Sequence, residues 1–109
     1  GIVLGYFVIL PGQCMNAWNL LSKTNINGVK KAGDPIFNMV AQMIGVELNI
    51  VAGDQACGKV TSALAQAQVL LKKYNFNGIT YTGNISKADQ VTINNLATEF
   101  DNDKPSACL

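Results

Sequence analysis

The chain contains no histidine and no arginine. Without His, the usual proton shuttle near neutral pH and the commonest metal ligand are missing. Without Arg, the planar fork that grips phosphate or carboxylate is missing too. Charge is scarce as well: 14% of 109 residues, with 8 Lys against 7 acids for a net charge of +1, where about a quarter is usual. There is no basic stripe, so a phosphate-tracking surface and nucleic-acid binding are excluded as expectations. No apolar stretch reaches the ~18–20 residues that a bilayer span needs. The opening run lacks a basic leader region, and a chain that opens on Gly reads as a processed or excised piece. There is no CxxC pair, no internal repeat and no low-complexity segment.

Apolar residues make up 49% of the sequence, enough for one domain with a modest core. Residues 2–10, Ile-Val-Leu-Gly-Tyr-Phe-Val-Ile-Leu, end at Pro11-Gly12. Their lack of alternation predicts a single strand buried on both faces. Residues 16–21 suggest a short helical turn, and 22–33 a loop. Asp34 followed by Pro35 marks a helix start. Ile36, Phe37, Val40, Met43, Ile44, Leu48 and Val51 then recur at helical spacing up to Gly53, giving a helix over 35–51. Gly45 within it suggests close packing against an alanine-rich neighbour. That neighbour is predicted over 57–74, with Val60, Ala63, Leu64, Ala67, Leu71 and Tyr74 as its stripe and Lys72 and Lys73 in its last turn. Residues 79–82 are β-prone. Ser86 and Asp89 resemble a capping box before a third helix over 87–101, carried by Val91, Ile93, Leu96, Ala97 and Phe100. The expected fold is mainly α. A three-helix core over 34–104 joins an N-terminal apolar strand within an arm of residues 1–12, with a small ribbon formed against 76–82, in one domain of 1–109.

Three cysteines, Cys14, Cys57 and Cys108, lie far apart. The spacing suits a disulfide better than a metal site. Chain ends often lie close together, which favours Cys14–Cys108 and leaves the other pairings open. Three reduced core cysteines is the competing reading.

Three blocks resemble a known family: Gly5-Tyr-Phe…Pro11…Ala17-Trp18, then Asp34-Pro-Ile…Val40 through Asp54, then Cys57…Ala63-Leu-Ala-Gln-Ala-Gln-Val-Leu-Leu71. They look like secreted bacterial modules that start with a Gly-Tyr-Trp…His-Pro…Ala-Trp signature. Those modules continue with an "AHQLIAAKLNIANGAD"-like helix, then a Cys and an alanine-rich helix. Here Phe7 stands where the family prefers Trp, and Leu10 where it has His. The resemblance implies extracellular or cell-surface placement, an oxidising compartment and no established enzymatic activity.

Candidate chemistry is thin. Asp101-Asn-Asp103 has calcium-type ligands without the Gly and distal Glu of a calcium loop, and reads as a solvated helix end. Glu47 and Asp54 have the residue types of an acid–base pair, but Glu47 reads as a lone charge at the edge of an apolar face. Asn84-Ile-Ser86 is a glycosylation-type sequon. No nucleophile–base pair is recognisable, and no cofactor or metal is called for. The expected function is therefore non-enzymatic: a structural or adhesive module of a secreted or cell-surface protein, forming a homo-oligomer or a pilus- or fibril-like filament. A long apolar strand must be covered, either by the domain's own helices or by a neighbouring subunit; in the second case assembly would run through Ile2, Val3, Leu4, Tyr6, Phe7, Val8, Ile9 and Leu10. The alternative is an extracellular carbohydrate-binding module using Tyr6, Trp18, Tyr74 and Tyr81 as its aromatic platform.

Overall fold

The computed structural model describes residues 1–51, 53 and 58–101. Among the described residues, two strands, β1 (Ile2–Leu4) and β2 (Phe7–Ile9), precede four helices: α1 (Cys14–Leu21), α2 (Pro35–Val51), α3 (Gly58–Lys73) and α4 (Lys87–Asp101). The chain is mainly α with one small antiparallel ribbon, as its periodicities predict. α2 lies at the centre, packed chiefly against α4 and α1, and α3 packs on α4.

The N-terminal run is not one strand. It folds in half at Gly5-Tyr6, pairing Ile2 with Ile9, Val3 with Val8 and Leu4 with Phe7. Gly5 carries the turn at φ +67°, the left-handed backbone that a Gly-first two-residue hairpin loop requires. Folding in half restores the period of two. Leu4 and Ile9 point inward at 0% and 3% exposure, whereas Val3 and Val8 point outward at 47% and 40%. The expectation of burial on both faces is therefore corrected. So is the ribbon over 76–82, because Asn77 turns the chain there. Its Oδ1 accepts the N–H groups of Ile79 and Thr80, each at 2.9 Å, and its own N–H donates to Thr80 O at 3.1 Å. These groups are then lost to a strand ladder.

The helices begin where their caps stand. Asp34 Oδ1 accepts the N–H groups of Ile36 and Phe37 at 2.9 and 3.1 Å, which satisfies two otherwise orphaned donors of α2. Ser86 Oγ does the same for Asp89 N at 3.1 Å. The residue that ends α3 is Asn75, at φ +52°, with Phe76 N donating back to Leu71 O at 3.0 Å; Asn is the residue that tolerates this position when Gly is absent. The stripe on α3 is the expected one, with Val60, Ala63, Ala67 and Leu71 buried. Gly45 differs from expectation: a Cβ there would meet nothing within 4 Å, so no neighbour requires its smallness.

An aromatic series crosses the core. Phe7 stacks edge-on to Phe76 (6.0 Å), Phe76 to Phe37 (5.4 Å), and Tyr81 lies 6.4 Å from both Phe37 and Tyr74. Such contacts add to area burial, and they tie the hairpin to the α3–α4 connection and to α2.

Candidate assembly surface

The eight residues expected to carry assembly divide into two sets of four. Leu4 and Ile9 are buried and Ile2 and Phe7 half-buried, all within the molecule's own core. Val3, Tyr6, Val8 and Leu10 are exposed. The split follows from how the hairpin is held. Gln68 on α3 clamps its edge, accepting from Gly5 N at 2.5 Å and donating to Val3 O at 2.7 Å. Gly5 sits so close to α3 that a Cβ would lie 2.8 Å from Leu71 Cβ and 3.1 Å from backbone atoms of Leu71 and Lys72. Phe7 covers Gly78, where a Cβ would lie 2.8 Å from the ring. Among side chains, the clamp residue Gln68 has no signal in the sequence, because its partners are 63 and 65 residues away.

Beyond the hairpin the exposed apolar residues continue. Met15, Trp18 and Leu21 on α1 and Leu48 and Val51 at the end of α2 are all exposed. Leu48 and Val51 belong to the helical period of α2, yet they are 40% and 78% exposed at its C-terminal end. A mostly apolar hollow of about 220 Å³ lies there, between Ile9, Leu10 and Pro11 on one side and Ala17, Leu48 and Val51 on the other. Tyr6 stands at the hairpin tip with Lys72 Nζ 5.6 Å from its ring centre, an exposed cation–π contact.

The four aromatics expected to form a sugar platform do not share one surface. Trp18 is 64% and Tyr6 69% exposed, whereas Tyr74 is buried at 5%. Its hydroxyl donates to Asp89 Oδ2 at 2.5 Å and accepts from Ser86 N at 3.3 Å. Half-buried Tyr81 donates to Asp34 Oδ2 at 2.7 Å. Burial and that acceptor push its pKa up to about 12. The cleft at Tyr6 is lined by Phe7, Asn75, Phe76 and Asn77 and not by Trp18.

The remaining candidates are placed as follows. Cys14 is exposed at the start of α1. Cys57 and Cys108 lie outside the described residues, and with them the proposed pairing. Asn84 is exposed in the connection before α4. Asp101 closes α4, while Asp103 and Asp54 lie outside the described residues. Among the described residues no group of three or more Cys, Asp or Glu could hold a metal ion, and no helix is long and apolar enough to cross a membrane. Lys73 and Asp89 pair at 2.6 Å. Hydrogen bonds from Lys73 and Tyr74 hold the Asp89 carboxyl below its ordinary pKa, and the same bond raises that of Lys73. A groove of about 470 Å³ between α3 and α4 is lined by Ser62, Ala63, Gln66, Thr92, Asn95 and Leu96, with the Lys59–Glu99 ion pair at 3.3 Å on its border.

Glu47 is the residue that sequence reading placed least well. It is half-buried, its Oε2 is sealed from solvent without a hydrogen-bond partner, and burial pushes its pKa up to about 7. With the geometry in hand, comparison with protein families, curated proteins and solved structures finds no match to this chain.

Proposed function

We propose that this chain is a non-enzymatic structural module that associates with copies of itself through the outward face of its N-terminal hairpin and the apolar residues beside it. The observation that carries this reading is the cross-strand pair Val3–Val8, exposed together with Tyr6 and Leu10 on a ribbon whose other face is already committed to the core. Contiguous apolar area that a monomer leaves in water marks a contact site. The net charge of +1 offers little electrostatic resistance to like molecules meeting. The inward set stays in its own core, so association by this route needs no strand to leave its own molecule. A head-to-tail contact that does not close would extend into a filament; a two-fold contact would stop at a dimer.

Placement on a secreted or cell-surface protein is part of the proposal. It is supported by the resemblance to secreted modules and by a surface that depends on Asn, Gln, Ser and Thr rather than charge. Electron microscopy of the native protein, paired with sedimentation over a hundredfold concentration range, tests the assembly reading. Oligomers or filaments that dissolve on Val8→Lys are the expected result. A wild-type chain that stays monomeric at the highest concentration overturns it.

A further inference from the structure

At the open end of the hairpin lies the mostly apolar hollow of about 220 Å³. Leu10 belongs to both surfaces. It is one of the exposed hairpin residues, and it walls the hollow together with Cys14 and Ala17 of α1 and Leu48 and Val51 of α2. No charged side chain lines this space, and the first charged residue of the chain is Lys23. Two copies of this region therefore meet without like-charge repulsion. An apolar cavity of about 150 Å³ takes a benzene ring, so this one has room for a larger aromatic. The molecule carries such a ring in the open: Trp18, 64% exposed. It stands one turn along α1 from Cys14, on the same side of the helix.

Ring and hollow thus share one patch, and that fixes the symmetry. A contact that builds a filament needs its two halves on different sides of the molecule, whereas a patch that holds both halves is self-complementary about a two-fold axis. Trp is among the residues that most often anchor protein interfaces. Its indole N–H is a donor only and needs an acceptor when buried. Gln13 lines the hollow and supplies one: its Oε1 accepts the Leu10 N–H at 2.8 Å and keeps a second lone pair.

We propose that two copies of the chain associate by exchanging Trp18, each indole entering the other's hollow against Leu48 and Val51 and donating its N–H to Gln13 Oε1 there. The inference rests on the assembly reading and narrows it to a closed dimer, with Leu10 joining the hairpin face to the anchor.

Trp18 is the chain's one tryptophan, so its fluorescence reports the contact directly. As the native protein is concentrated, its emission should move to shorter wavelength and its quenching by acrylamide should fall, both with the midpoint of a monomer–dimer transition followed by sedimentation. Trp18→Ala should weaken dimerisation about 30-fold or more, the loss expected at an aromatic anchor. Val51→Glu, on the hollow's side of the contact, should weaken it as much with little change in the thermal melt, because Val51 is exposed. Val91→Glu, exposed on α4, should leave dimerisation unchanged.

Association that is lost in Val8→Lys but kept in Trp18→Ala overturns the exchange and leaves the hairpin face standing as the contact, as does a Trp18 that stays open to acrylamide in the associated state. If saturable amide shifts at Leu48 and Val51 on adding n-octanol accompany that open Trp18, the hollow belongs to an aliphatic ligand instead. Assemblies larger than a dimer with Trp18 protected overturn the two-fold. A chain that sediments as a monomer with Trp18 already protected has closed its own hollow, which also overturns the proposal. A native chain that never associates removes the assembly reading and this inference with it.

Discussion

Ile2, Leu4, Phe7 and Ile9 lie on one side of the hairpin and Val3, Val8 and Leu10 on the other, and composition hardly distinguishes the two sets. Their surroundings do. The inward set meets α2, the aromatic series and α3, and is held there by Gln68 and by the close seat of Gly5 on Leu71. The outward set meets water. An apolar side chain therefore has two possible meanings in this molecule, core or contact, and the register of one two-residue turn assigns them.

The sharpest way to break that comparison is to truncate each face. Leu4→Ala should destabilise the fold by about 2–5 kcal/mol, the usual range for a fully buried Leu. Val3→Ala should change stability by no more than about 0.5 kcal/mol, as surface substitutions do. Chemical denaturation of both variants checks this, and equal losses would erase the distinction between the faces. Gly5→Ala comes next, with an expected cost of about 1–3 kcal/mol, because the added Cβ combines a left-handed backbone with a clash against helix backbone. Gly12→Ala is its control: also at positive φ but with open space around it, it should cost about 1 kcal/mol.

Gln68→Ala removes both hydrogen bonds to the hairpin edge and should cost about 1–2 kcal/mol. Amide exchange of the hairpin should accelerate more than that of α2 if the clamp holds the hairpin in particular. The smallest effect concerns pH. Burial raises the Glu47 pKa from 4.5 to about 7, so the folded state takes up the proton more readily than the unfolded chain. Its contribution to stability is fully present below pH ~4.5 and is lost as pH rises through ~7. With allowance for solvent screening of a partly exposed group, the loss is about 1–2 kcal/mol. Glu47→Gln should remove that slope from a plot of stability against pH, and an unchanged slope would place its origin elsewhere.

The sequence foreshadowed the helices because each carries its own punctuation. Asp34 and Pro35 open α2, Ser86 opens α4, and the stripe of α3 recurs over four turns. The hairpin was harder to read because both of its faces are apolar, so the period of two disappears from the pattern. Gly5-Tyr6 between two three-residue apolar runs was the signal available. Residues 79–82 misled in the opposite sense: their composition is β-prone, but Asn77 commits the local N–H groups to a turn. The exposure of Leu48 and Val51 could not be read from periodicity, which specifies a face and not how far the partner helix reaches. Glu47 appeared as a charge at the edge of an apolar stripe; that one of its oxygens is buried without a partner is a property of the packed structure, which periodicity does not report.

The account depends most on neighbouring residues of β2 having opposite roles, so Val8→Lys and Ile9→Lys should be compared by thermal melting and sedimentation equilibrium under one set of conditions. Val8→Lys is expected to melt within about 2 °C of the native protein, since a small change in stability moves Tm little, and to sediment as a monomer where the native chain associates. Ile9→Lys should lose the cooperative melt, because it buries an unpaired charge. A Val8→Lys protein that associates as the native chain does, or an Ile9→Lys protein that melts like it, would contradict the division of the hairpin into a core face and a contact face.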